Sequence, residues 1–149
     1  MNPRYLEDYT VGELLRAPGF TLTESEIIHF ALLYDPQPFH TDVLAAQESI
    51  YGGLIASGWH VAVLAFRMLI QAGIVGTASL GSPGIEQLRW LIPVRPGDTL
   101  YPCAKIVEAR PSRSKPDRGV VKVEWWVENQ RKEVVTTLVS TQLVRRRPA

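Results

Sequence analysis

The sequence predicts an α+β fold in which an antiparallel β-sheet wraps around one long hydrophobic helix. Two observations carry this prediction. From Trp59 to Gln71 every residue is apolar except His60, Arg67 and Gln71, so a helix there is greasy on nearly all sides and belongs in a core. After it, segments at Gly84 to Val94, Thr99 to Ala109, Gly119 to Val127 and Val134 to Val144 read as strands separated by turn signals. A helix followed by a run of strands, rather than strands alternating with helices, gives a segregated α+β layout.

Within the helix, His60, Arg67 and Gln71 are seven and four positions apart, which aligns them on one narrow stripe facing outward. Fourteen residues make about 21 Å of helix, short of the roughly 20 residues that cross a bilayer. Ser57 is placed to cap it, and Gly58 lets another group approach the first backbone N–H groups. A buried helix with an open N-terminus suits an anion or an oxyanion.

The other elements follow in chain order. Residues 3 to 12 mix Pro, Gly and charge without a period and form an irregular lead-in. Leu14 to Thr23 suits a first strand bent at Pro18-Gly19. Thr23-Glu24-Ser25-Glu26 is a capping box, starting a helix that must stop before Pro36. In Asp35-Pro36-Gln37-Pro38-Phe39-His40 two prolines stiffen a loop and fix Asp35 relative to His40. Thr41 to Glu48 reads as a short helix, Tyr51-Gly52-Gly53 as a turn, and Ala72-Gly73 as the end of the central helix. In Gly84 to Val94, Leu88, Trp90 and Ile92 alternate with Gln87 and Arg89, one face packing on the helix. Arg110 to Arg118 is a basic polar hairpin loop, and Arg145, Arg146 and Arg147 form a terminal tail. A single sheet leaves exposed edges, which invites edge-to-edge dimerisation.

At 149 residues the chain is expected to form one domain, 1 to 149, with a core of its own. Lys and Arg number 16 against 15 for Asp and Glu, so bulk charge implies neither nucleic acid nor an anionic membrane as partner. The single Cys103 excludes an internal disulfide framework and a multi-thiol zinc site. The first residues hold no apolar core of signal-peptide length, so a cytoplasmic location is expected.

Asp35 and His40 are the leading candidates for chemistry, since a carboxylate and an imidazole on a rigid loop suit general acid–base work. Read without further context, the plainer account is that Asp35 caps the following loop and His40 is a satisfied surface histidine. His60 and His29 read as packing residues and Cys103 as a buried, inert thiol. A metal site from Asp35, His40 and Asp42 lacks supporting Cys or His spacing. No nucleophile elbow, phosphate loop or dinucleotide fingerprint occurs, and no cofactor is expected.

Three segments decide between these readings. Tyr34-Asp-Pro-Gln-Pro-Phe-His40, Gly53-Leu-Ile-Ala-Ser-Gly58 and Leu91-Ile-Pro-Val-Arg-Pro-Gly-Asp98 together resemble the MaoC-like branch of the hotdog-fold superfamily, the family of (R)-specific enoyl-CoA hydratases. The resemblance runs from about Leu6 to Leu143. Asp35, Pro38 and His40 fall on the family motif Asp-x-Asn-Pro-x-His. Gln37 stands where the family usually has Asn, and Phe66 where it often has a hydroxyl residue.

The resemblance implies a hotdog fold and addition of water to, or its removal from, an α,β-unsaturated acyl-CoA or acyl-carrier-protein thioester. Asp35 and His40 would hold the water and exchange protons with the substrate, and the Gly58 N–H would stabilise the enolate oxygen. Substrate binding would fall to Gln37, Pro38, Gly53, Ser57, Trp59 and Arg89, with the acyl chain passing Trp59 and Ala62 between two subunits of a homodimer. Arg89, Arg113, Lys115 and Arg118 are candidate cations for the carrier phosphate. A thioesterase is the rival enzyme, disfavoured because no acidic residue lies between Gly53 and Ser82. A non-catalytic subunit that binds an acyl thioester or stabilises a catalytic hotdog chain is the other alternative, and it has no need of Asp35 and His40.

Overall fold

A computed structural model describes residues 2–148. After a 3-10 turn at Leu6–Asp8 come two short strands, β1 (Leu14–Arg16) and β2 (Phe20–Thr21), then helices α1 (Glu24–Tyr34), α2 (Pro38–Thr41), α3 (Val43–Glu48) and α4 (Gly58–Gln71). Four strands complete the chain: β3 (Gly84–Trp90), β4 (Thr99–Pro111), β5 (Arg118–Glu128) and β6 (Val134–Arg145). The strands join in the order β1-β4-β5-β6-β3, with β2 also paired to β4, and every pairing is antiparallel.

Local chemistry accounts for the boundaries of the helices. Thr23 accepts from Glu26 N while Glu26 Oε2 accepts from Thr23 N at 2.9 Å, so the expected capping box opens α1. Pro36 stops that helix, leaving Asp35 at its end. The segment from Pro36 to Glu48 departs from expectation. It is not a loop followed by one helix, because Pro38 takes the first position of α2, where its missing N–H costs nothing. Asp42 then breaks the helix and caps α3, accepting from Leu44 N and Ala45 N at 2.9 and 3.0 Å.

The inner face of α4 presents Val61, Leu64, Ala65, Met68 and Leu69 to one core with Ala104, Ile106, Val121, Val123, Trp125 and Leu138 of the sheet. Truncating a residue such as Leu69, 2% exposed, costs about 2–5 kcal/mol. The outer side corrects the sequence reading. Arg67 and Gln71 do face outward, but His60 is tucked against α1, its ring stacked on Phe30 at 4.4 Å. In its place an apolar stripe faces out: Trp59, Val63 and Phe66 are 51%, 57% and 40% exposed.

The arginines at the end of the chain are not a free tail, since Arg146 pairs with Glu7 and Arg147 with Asp8. Among the described residues no helix is long and apolar enough to cross a membrane.

Candidate active site

Asp35 enters the site as the C-cap of α1, and His40 from the middle of α2. The short connection between these helices brings His40 Nε2 to 3.3 Å from Asp35 Oδ2, with side chains 5% and 17% exposed. Each is oriented by further bonds. His40 Nδ1 lies 2.8 Å from the Ile55 carbonyl, and a carbonyl only accepts, so Nδ1 carries the hydrogen and Nε2 faces the carboxylate. Asp35 Oδ2 accepts from Ser57 Oγ at 2.6 Å, and Oδ1 from Gln37 Nε2 at 2.7 Å. Burial works to raise the Asp35 carboxyl, but donation from Ser57 and Gln37, with the imidazole alongside, outweighs it and holds the group below its ordinary value.

Ser57 couples this pair to the central helix. Its hydroxyl donates to Asp35 and accepts from Trp59 N at 3.2 Å, capping α4 as the sequence predicts. The Gly58 N–H has no hydrogen-bond partner among the described residues, as first-turn donors of a helix do not. Both it and the Asp35–His40 pair border one cavity of about 580 Å³, which is also lined by Tyr34, Gln37, Phe39, Tyr51, Trp59, Trp90, Leu91 and Thr136. Aromatic rings make its walls: Phe39 stands edge-on to His40 at 4.5 Å, Tyr51 packs on Phe39 at 5.2 Å, and Trp59 meets Trp90 edge-on at 5.3 Å. The arrangement places an acid–base pair and a helix N-terminus on one apolar-walled chamber, suited to protonation chemistry beside a developing oxyanion.

Of the residues singled out in the sequence, Asp35, Gln37, His40, Gly58 and Trp59 all border this cavity. Pro38 and Ser57 stand behind the wall as backbone and cap, and Gly53 lies in the turn before α4, beneath Arg95. Arg89 is not brought to the cavity. It lies on the opposite face of β3 from Trp90 and donates to the Leu88 carbonyl at 3.0 Å. Arg113, Lys115 and Arg118 occupy the β4–β5 hairpin, where Arg118 opposes Arg145 in register, whereas the cavity meets the sheet at Thr136, opposite Val127. Nine residues of strand, about 30 Å, separate these two places within the chain. Ala62 is buried inside α4.

Sequence reasoning missed the Ile55 carbonyl, Tyr51 and Trp90. No local signal marks a backbone acceptor 15 residues away, but Tyr51 stands beside the Gly52-Gly53 turn and Trp90 on the strand face expected to pack on the helix, so both aromatics were visible. Cys103 is buried as expected, and burial pushes its thiol up. His60 Nδ1 is buried with no partner among the described residues, and burial lowers that imidazole. Among the described residues no three His, Cys, Asp or Glu side chains converge as a metal site requires.

Comparison with known proteins adds an independent line. The chain matches the MaoC like domain family over residues 8–139. It is similar to a solved MaoC-like dehydratase from Rhodospirillum rubrum, with a TM-score of 0.91 and 38% identity covering 98% of this chain and 99% of that one. It is 36% identical to the MaoC protein of Klebsiella aerogenes over 98 residues, which are 65% of this chain and 29% of that longer protein. An R-hydratase of Pseudomonas aeruginosa, solved unliganded, shares the fold at a TM-score of 0.76 and 21% identity, over 96% of this chain and 86% of its own.

Proposed function

This chain belongs to the MaoC-like dehydratase family and has its hotdog fold, and on that premise we propose that it is a hydro-lyase acting on α,β-unsaturated acyl thioesters. The observation that carries the reading is the Asp35–His40 pair at 3.3 Å on the same cavity as the open N-terminus of α4. With Nδ1 donating to Ile55, the Nε2 atom and the ionised Asp35 carboxylate are both acceptors unless a proton lies between them. A shared proton is what the chemistry uses.

In hydration, Asp35 takes a proton from water as its oxygen bonds to C3, and His40 Nε2–H gives a proton to C2. One water O–H bond and the C2–C3 π bond break, and new C3–O and C2–H bonds form. Proton transfer from Asp35 to His40 across their contact then restores the starting state. Delivery of both groups from one side of the acyl plane makes the addition syn, and the product is assigned as the (R)-3-hydroxyacyl thioester. As the thioester oxygen gains charge, the Gly58 N–H and the positive end of α4 stabilise it without reorganising. The physiological thiol carrier is coenzyme A or a carrier protein.

The working unit is a homodimer. An exposed apolar stripe on α4 and the unpaired outer edge of β3, where Ile85, Trp90 and Leu91 are half exposed, are surfaces that a second copy would cover.

The test is loss of the conjugated thioester absorbance when purified protein meets crotonyl-CoA and longer enoyl-CoAs, with Asp35→Asn and His40→Gln alongside. The reading expects turnover that falls by about 10²–10⁴ in each folded variant. Release of free thiol would instead make the chain a thioesterase, and binding without turnover an acyl-thioester-binding subunit.

A further inference from the structure

A carrier phosphate needs a cation near the cavity, and none of the four expected from the sequence is brought to it within the chain. The residue that stands there is Arg95. It follows Val94, which lines the cavity, and its Nη2 donates to the carbonyl of Tyr51, another lining residue. The guanidinium therefore sits at the rim, beyond the chain of rings from His40 through Phe39 to Tyr51. It also covers Gly53, where a β-carbon would lie 3.2 Å from Nη1.

Two properties separate Arg95 from the other arginines. Arg4, Arg16, Arg110, Arg118, Arg131, Arg146 and Arg147 each hold a carboxylate; Arg95, like Arg67, Arg89, Arg113 and Arg145, has none at ion-pair distance among the described residues, and it alone of these five bonds a residue that lines the cavity. Its backbone is also fixed. Pro93 and Pro96 flank it, its N–H donates to Asp98 Oδ2 at 2.9 Å, its carbonyl accepts from Asp98 N at 3.0 Å, and the Val94 carbonyl accepts from Ala56 N at 2.8 Å. An exposed guanidinium held in place, with donors to spare and its charge uncompensated, suits a phosphate, because little side-chain freedom remains to be lost on binding.

We propose that Arg95 is the phosphate-binding residue of this site, holding a phosphate of the thiol carrier while the acyl end lies between His40 and Gly58. The assignment rests on the acyl-thioester reading and deepens it.

Arg95→Gln and Arg95→Lys are compared with wild type on crotonyl-CoA, crotonyl-phosphopantetheine and crotonyl-N-acetylcysteamine, the last carrying no phosphate. For Arg95→Gln, KM for crotonyl-CoA should rise about tenfold with kcat unchanged, KM for the N-acetylcysteamine thioester should not move, and Arg95→Lys should recover part of the loss. A matching rise with crotonyl-phosphopantetheine supports the phosphate beside pantetheine, which coenzyme A and carrier proteins share. A rise confined to crotonyl-CoA supports the nucleotide phosphates. An equal loss on all three substrates makes Arg95 only a brace for the Tyr51–Gly53 turn and overturns the proposal, as does no loss on any. Should wild type turn over none of them, it is the hydratase reading that fails. Calorimetric binding of coenzyme A then decides Arg95 alone, with unchanged affinity in Arg95→Gln overturning it.

Discussion

The indole of Trp90 lies against the α-carbon of Gly58, so closely that a β-carbon at position 58 would come within 2.5 Å of the ring atoms Cε2, Nε1 and Cδ2. Glycine at the head of α4 is thus required by its neighbour and not by its own backbone angles. For Gly58→Ala, helix propensity favours Ala by at most about 1 kcal/mol, while forcing a methyl group into the indole costs about 1–3 kcal/mol. The clash wins. The variant should melt lower and lose about 10²-fold in hydration as the first N–H of the helix shifts, and adding Trp90→Ala should recover stability. An unchanged melting temperature in Gly58→Ala would show that the contact is looser than described.

Ser57 is expected to set the acid side of the proposed activity. The Asp35 carboxyl is held below its ordinary value, so the stability it adds is complete above the ordinary carboxylate range and is lost as pH falls through the lowered value. Ser57→Ala removes a donor and lets that value rise. The acid limb of kcat/KM should then begin at higher pH, with the alkaline limb unmoved, and the lost cap should cost about 1 kcal/mol in denaturant unfolding. A rate profile that keeps its acid limb would separate Ser57 from the ionisation of Asp35.

Thr23→Ala tests the far end of α1. Its hydroxyl accepts from Glu26 N, and losing it should lower stability by about 1 kcal/mol while leaving kcat and KM as they are, because Asp35 is positioned at the other end of the helix. Urea midpoints and steady-state rates measured on the same preparation check both halves.

Val63→Glu tests the subunit interface. Val63 packs against nothing that would suffer from a charge within the chain, being 57% exposed, yet it lies mid-stripe on α4. Sedimentation should show a dimer for wild type and a monomer for the variant. A wild type that sediments as a monomer would remove the dimer from the proposed function.

Much of this was legible because short-range chemistry fixes it. Thr23 and Glu26, Pro36, Ser57 and Gly73 mark the helix ends within a few residues of themselves, and the apolar run of α4 identifies the core helix. Asp35 and His40 were legible through motif spacing. Their supports were not: Ser57 reaches Asp35 across 22 positions, and Arg95 reaches Tyr51 across 44, relations that exist only after folding. Arg95-Pro96-Gly97 reads locally as a turn and nothing else. The outward stripe of α4 was misread because periodicity reports which residues are apolar, not whether their own chain covers them.

Strand β3 is one residue too long for its partner. Glu86 opposes Val139 and Arg89 opposes Thr137, so Gln87 and Leu88 together face the single position Leu138, with Gln87 at φ 55°. Side chains alternate along a strand, and the surplus residue advances that alternation by half a period. Ile85 and Trp90, of opposite parity, consequently both turn toward the concave side, opposite Ser140 and Thr136. Were the bulge straightened with no residue lost, Gln87 and Leu88 would pair singly with Leu138 and Thr137, Arg89 would come opposite Thr136 and take the place beside Gly58, and the indole would turn to the other face opposite Val135. The bulge at Gln87 therefore chooses between an oily wall and a cationic one, a change of chamber chemistry that involves no substitution at all.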